Sequence, residues 1–180
     1  MKATGITRKL DSLGRIVIPK EIRRANHLGE GASLEIYTDQ EGEIILKKYS
    51  PMVEMGDFAK QYADALSQSI GHTVCIADRD QVIAAAGNMK KEYLGKPVSR
   101  QLDALVSRRE AVGPNAGKRF IPILSEDGAY EAQTVYPIIA EGDAIGSVAI
   151  LSRDSHVKFT DTEYKAASVA ASFIGRQMER

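Results

Sequence analysis

Five cations in the first quarter of the chain have the types and spacing to hold a polyanion: Arg8, Lys9, Arg15, Arg23 and Arg24. With Lys2 and Lys20 they give residues 1–28 seven basic side chains against two acidic ones, Asp11 and Glu21. The whole chain is neutral, with 24 basic and 24 acidic residues. Outside residues 1–48 the balance tips to 15 basic and 17 acidic. Positive charge gathered at one place on a neutral chain marks a surface for a polyanion rather than a solubility device. The competing reading is a solvated charged face, and the elements around the cations decide between the two.

Residues 4–10 are β-prone and end at Asp11-Ser12-Leu13-Gly14, a turn signal. Residues 15–18 are a second, β-branched run. Pro19 stops that run and suits the first position of a helix, where its missing N–H costs nothing. A short helix is predicted over 19–28, with Ile22, Ala25 and Leu28 inward, Arg23 and Arg24 outward, and Gly29 as its terminator. A hairpin follows, with strands over 33–37 and 43–49 and a turn over 39–42. Arg8 and Arg15 flank the first turn, so both guanidinium groups can project near one rim, and Arg23 and Arg24 project from the helix that follows.

Residues 1–49 resemble the AbrB-type swapped-hairpin DNA-binding domain of bacterial transition-state regulators. The segment Asp11-Ser12-Leu13-Gly14-Arg15-Ile16-Val17-Ile18-Pro19-Lys20-Glu21-Ile22-Arg23-Arg24 carries most of the match. The resemblance implies an interleaved homodimer in which hairpins from two chains complete one β-barrel. It also implies double-stranded DNA as partner, contacted by Arg8, Arg15, Arg23 and Arg24, with Lys9 on a neighbouring phosphate. An independent argument supports the dimer. A module of about fifty residues buries too little of its surface to be comfortably stable alone. Sharing Ile6, Leu10, Leu13, Ile16, Ile18, Leu34, Ile36, Ile44 and Leu46 across two chains makes one core of ordinary size and places two copies of each arginine on one face.

Ser50-Pro51 marks a boundary, because proline biases its predecessor away from helix. The expected domains are 1–51 and 52–180. In the second, apolar spacing predicts a helix over 52–70 ended by Gly71, and a hairpin of strands 73–77 and 82–86. Helices follow over 88–94 and 98–106, then strands over 119–124, 131–140 and 144–153. The last helix starts with Thr160 and Glu163 spaced as a capping box, and with Phe159 and Tyr164 spaced as a hydrophobic staple. The first and last helices carry Ala- and Met-rich stripes and are expected to pack across subunits, raising the dimer to a homotetramer.

That order, with Pro137-Ile138-Ile139 and Gly142-Asp143-Ala144-Ile145-Gly146-Ser147-Val148, resembles a GAF-type sensor domain. The expected fold class is α+β: a swapped-hairpin barrel dimer, then a GAF-like α/β sandwich with an antiparallel sheet. A small-molecule effector would lie near residues 88–121, where Phe120, Tyr130 and Tyr136 are candidates for its lining and equally for core or surface. No catalytic residue, cofactor or metal is expected. His27, His72 and His156 are scattered and have no Cys/His spacing. Cys75, the one cysteine, reads as a buried strand thiol, whereas sulfoxide-reducing GAF relatives use several. The acidic groups Asp78/Asp80, Glu126/Asp127 and Asp161/Glu163 sit in turns or at a helix start. With no apolar run long enough for a bilayer and no signal peptide, no membrane partner is expected and the bacterial cytoplasm is the simple location.

The two halves together resemble sequence-specific transcription regulators of spore development, with activation and repression both open. One alternative is a regulator whose GAF-like half binds nothing and only oligomerises. Another is an antitoxin, since antitoxins share the swapped hairpin; their short, disordered tails contrast with the periodic and capped residues 53–180.

Overall fold

The computed structural model describes residues 4–26, 28–30, 32–50, 52, 55–114 and 120–179. Lys2, His27, Pro51 and Arg119, named above, lie outside the described residues. The chain divides into two compact units, Met1–Tyr49 and Ser50–Arg180. Ser50 Oγ donates to Asp78 Oδ2 at 2.9 Å, which ties that residue to the second unit.

In the first unit, Asp11 to Arg15 form the expected turn. Gly14 N donates to Asp11 O and Asp11 N to Arg15 O, both at 3.0 Å. Gly14 takes φ 73°, open to a residue without Cβ. The flanking runs, 4–10 and 15–18, are not strands in this chain, which corrects the expectation. A lone two-stranded hairpin is marginal in water, and here its apolar side chains stand in solvent, with Leu10 68 % and Val17 73 % exposed. Helix α1 (Lys20–Ala25) is shorter than predicted. Pro19 precedes it at φ −59°, ψ 149°, and Asn26 rather than Gly29 ends it. The Asn26 N and Nδ2 both donate to Ile22 O, at 3.0 and 2.9 Å. Ile22 and Leu28 are half-buried, but Ala25 is exposed rather than inward. Strands β1 (Leu34–Thr38) and β2 (Ile44–Lys48) pair antiparallel, with Leu34 opposite Lys48 and Thr38 opposite Ile44. Asp39 Oδ1 closes their turn by accepting from Glu41 N and Glu43 N at 3.0 and 2.9 Å.

The second unit runs α2 (Gly56–Ile70), β3 (Thr73–Asp78), β4 (Val82–Ala86), α3 (Lys90–Tyr93), α4 (Arg100–Ser107), β5 (Ala132–Ala140), β6 (Asp143–Ser152) and α5 (Asp161–Met178). Its antiparallel sheet has the order β4-β3-β6-β5. Side chains alternate along the strands. Val74, Ile76, Ile138, Val148 and Ile150 bury against Ala59, Ala63, Ala167, Ala170 and Ile174 of α2 and α5. Cys75, Ala77, Val135, Ala149 and Leu151 bury on the other face against Tyr93, Leu102, Leu105, Ile123 and Tyr130. Each such Ile or Leu contributes about 1.5–3 kcal/mol by leaving water. The small residues let the layers close up: a Cβ on Gly175 of α5 would overlap the Ile139 carbonyl oxygen of β5.

Helix α2 starts at Gly56, later than predicted, and ends at Gly71 in the left-handed region, φ 74°. Helices α2 and α5 meet within one chain, where Phe58, Tyr62 and Phe173 cluster with ring centroids 5.6–6.1 Å apart. The capping box of α5 is formed. Phe159 packs on His72 and Tyr164 on Tyr136, so each aromatic ring ties the helix start to a different part of the domain.

The expected strand over 119–124 does not form across its described part, 120–124. Pro122 has no N–H to donate, and side chains satisfy the neighbouring backbone instead. Gln133 brackets Ile121, its Oε1 accepting from Ile121 N at 2.9 Å and its Nε2 donating to Ile121 O at 2.7 Å. Ser99 Oγ donates to Pro122 O at 2.5 Å, and Ser99 N to Ile123 O at 2.7 Å. Asp127 Oδ2 accepts from Ile123 N and Leu124 N at 3.0 and 3.2 Å. The same carboxylate, whose side chain is 2 % exposed, accepts from Tyr93 Oη at 2.8 Å and from Tyr130 Oη. Arg153 Nη2 stands 3.2 Å from it, and Arg153 Nη1 2.7 Å from Glu92.

Burial pushes the Asp127 acid up, but the donors from Tyr130, Tyr93, Leu124 and Ile123 outweigh it and leave the group below its ordinary value. A depressed folded value stabilises the protein above the unfolded value, and that stabilisation disappears as pH falls through the folded value. Asp127→Asn is therefore expected to cost about 1–3 kcal/mol near neutrality. The gap between the two melting temperatures should narrow as pH drops below about 4. Calorimetry from neutral to acid pH measures it, and a gap independent of pH contradicts the assignment.

Candidate nucleic-acid interface

All five sequence-selected cations, Arg8, Lys9, Arg15, Arg23 and Arg24, are exposed. Arg15 follows the first turn, where Asp11 holds it twice: Asp11 Oδ1 accepts from Arg15 N at 2.8 Å and Asp11 Oδ2 from Arg15 Nε at 2.7 Å. Those contacts, the backbone N–H first and the guanidinium second, keep the Asp11 carboxyl below its ordinary value. Arg8 Nη1 donates locally to Thr7 O at 2.9 Å. Arg23 and Arg24 occupy the last turn of α1, where positive charge suits the helix dipole. Guanidinium groups offer planar donor forks that match phosphate oxygens and base edges.

A groove of about 510 Å³ runs through this unit and brings Arg8 beside Ile16, Val17 and Ile22. Leu34 and Leu46 of the hairpin complete its apolar lining, with Lys47 and Lys48 also on it. A smaller hollow of about 330 Å³ sets Arg23 beside Val17, Ile18 and Leu34. Arg8 and Arg23 thus sit against apolar hollows that share Val17, Ile18 and Leu34. Lys47 Nζ lies 4.6 Å over the Tyr37 ring, a cation–π contact across the hairpin. The sequence reading missed the Asp11 tether. An Asp four residues before an Arg was its only signal, and it was absorbed into the turn.

In the second unit the three aromatic candidates separate. Tyr130 is buried and bonded to Asp127 and to Tyr93, and Phe120 packs half-buried on the same face. Tyr136 lies on the opposite face with Tyr164, so the three do not line one cavity. Cys75 is buried on β3, and burial pushes its thiol well above the ordinary range. Among the described residues no three His, Cys, Asp or Glu side chains gather to hold a metal, and no helix is long and apolar enough to cross a membrane.

Comparison with known proteins gives a separate family match for each part of the chain. Residues 54–179 match the family described as stage V sporulation protein T C-terminal, transcription factor. Residues 7–53 match that described as antidote-toxin recognition MazE, bacterial antitoxin. Stage V sporulation protein T of Bacillus subtilis (strain 168) is 50 % identical over 180 residues, covering 100 % of both chains. Transition state regulatory protein AbrB of the same organism is 61 % identical over 51 residues, which are 28 % of this chain and 52 % of that protein. The GAF domain from a Coxiella burnetii phosphoenolpyruvate-protein phosphotransferase superposes with a TM-score of 0.52 at 16 % identity, covering 71 % of this chain and 86 % of that one.

An AbrB-like head joined to a GAF-like α+β domain defines a DNA-binding transcription regulator of two domains. More particularly, the chain belongs to the stage V sporulation protein T family of sporulation transcription factors. The antitoxin likeness stops at the head, so the antitoxin reading is not favoured.

Proposed function

We propose that two copies of the head interleave into one barrel and present paired Arg8, Arg15, Arg23 and Arg24 to double-stranded DNA, with Lys9 on a neighbouring phosphate. The observation that carries this reading is the conjunction of exposed guanidinium groups with apolar grooves in the same fifty or so residues. The grooves are sockets for a second chain, and filling them fixes the spacing of the two arginine sets. Paired half-sites in the operator would mirror that symmetry. Alanine at Arg8, Arg15, Arg23 or Arg24 is expected to weaken operator binding by about 1–3 kcal/mol where the arginine reads a base, or to lower the salt slope by about one where it meets phosphate. Lys9→Ala should show the second pattern. Titrating a labelled duplex at several salt concentrations checks each variant, and unchanged binding by all of them contradicts the assignment.

The C-terminal domain sets assembly. Phe173 of α5 is exposed beside Phe58 and Tyr62 of α2, with Val169 exposed one turn before it, an apolar patch on a surface helix pair. Such patches mark interfaces; a second dimer on this one makes a tetramer, and linked heads bind DNA more tightly by multivalency. A small-molecule effector that favours one assembly must shift operator affinity by linkage. No part of this scheme needs catalysis, and it operates in the cytoplasm, where the DNA is. Light scattering of the full chain should report four copies, and Phe173→Glu two, with weaker operator binding. A dimer at every concentration overturns the tetramer.

A further inference from the structure

We propose that Asp11 is the specificity-determining residue of the head: it aims the Arg15 guanidinium at the matching base, while its charge lowers the sequence-independent binding common to every duplex. This rests on the DNA-contact reading of Arg15 given above. One carboxylate fixes both ends of that arginine. Asp11 Oδ1 accepts from Leu13 N at 2.9 Å and Arg15 N at 2.8 Å, setting the backbone as an Asx turn does. Asp11 Oδ2 takes Arg15 Nε at 2.7 Å, setting the head group. The two Nη groups remain as donors for a base edge.

The Asp11–Arg15 pair is exposed, and exposed ion pairs contribute little to stability. Its consequence lies in binding. A loose arginine gives up rotamer freedom when it docks, and the tether has already restricted that freedom. A carboxylate beside a DNA face also repels phosphate along every duplex, whatever the sequence, whereas an aimed fork gains only where the correct base edge meets it. Asp11 stays charged throughout the working range, because the Arg15 backbone N–H and guanidinium hold its acid below the ordinary value. The repulsion lowers operator and non-specific affinity by the same factor and leaves their ratio unchanged; the aiming raises operator affinity alone, and so sets the ratio.

Asp11→Asn tests this in the full-length protein, since it keeps an oxygen for the two turn N–H groups and removes the charge and the ion pair. Operator and scrambled duplexes are titrated at one salt concentration. Non-specific affinity should rise about threefold, and the operator-to-scrambled ratio should fall about tenfold. Arg15→Lys, which keeps the charge but loses the fork, should also lower the ratio. In an Arg15→Ala background, Asp11→Asn should raise operator and scrambled binding by the same factor and no longer move their ratio, because Asp11 acts on the ratio through Arg15. An unchanged ratio in Asp11→Asn, with operator binding lost in Arg15→Ala, overturns the role of Asp11 and leaves that of Arg15 standing. Unchanged binding in Arg15→Ala overturns both. An Asp11→Asn effect on the operator-to-scrambled ratio that persists without Arg15 overturns the aiming.

Discussion

The head cannot bury its own apolar side chains, and the rest of the account depends on that constraint. Ile36 and Ile44, on the paired hairpin strands, remain 67 % and 71 % exposed. Residues 4–10 and 15–18 bear β-branched side chains yet pair with no strand among the described residues. Apolar surface at this density in so small a unit is stable only when another chain covers it. Folding of the head is then inseparable from dimerisation, and so is the distance between the two sets of arginines. If, as proposed, the DNA-contacting surface is completed only in the dimer, affinity depends on assembly by mass action.

The second unit is built the opposite way. Its sheet is covered on both faces by side chains of its own chain, and the irregular stretch 120–124 is held by Gln133, Ser99 and Asp127 rather than by a ladder. Its core is thus closed within one chain, and the apolar surface left on α2 and α5 is available for contact between copies. The head leaves its apolar surface open for a partner, whereas in the proposed scheme the C-terminal domain uses one to set the number of heads on the DNA.

Features whose cause lies within a few residues were legible in the sequence. The turn at Asp11-Ser12-Leu13-Gly14, the hairpin of β1 and β2, the Gly71 stop and the Thr160–Glu163 box all follow from local chemistry. The β3–β4 hairpin and the two long strands followed from apolar patterning. What was missed depends on distant partners. Nothing near Ile121 announces that Gln133 will bracket it, and Asp127 looks like a turn residue until Tyr93 and Arg153 are brought to it by the fold. The early end of α1 came from Asn26, whose side chain competes for the Ile22 carbonyl. In the candidate site, residue types and their clustering were readable, but the double hold of Asp11 on Arg15 was not, because the turn signal alone accounted for the aspartate.

The central claim is that residues 4–10 and 15–18 become paired strands when two heads interleave. Amide hydrogen exchange of the full-length protein over a dilution series measures this directly. The account predicts slow exchange at Ile6, Arg8, Leu10, Ile16 and Ile18 in concentrated protein, speeding up together as dilution separates the copies, while β3 and β6 stay protected throughout. Fast exchange at those five positions at every concentration would contradict it, as would protection that ignores dilution down to a demonstrated monomer.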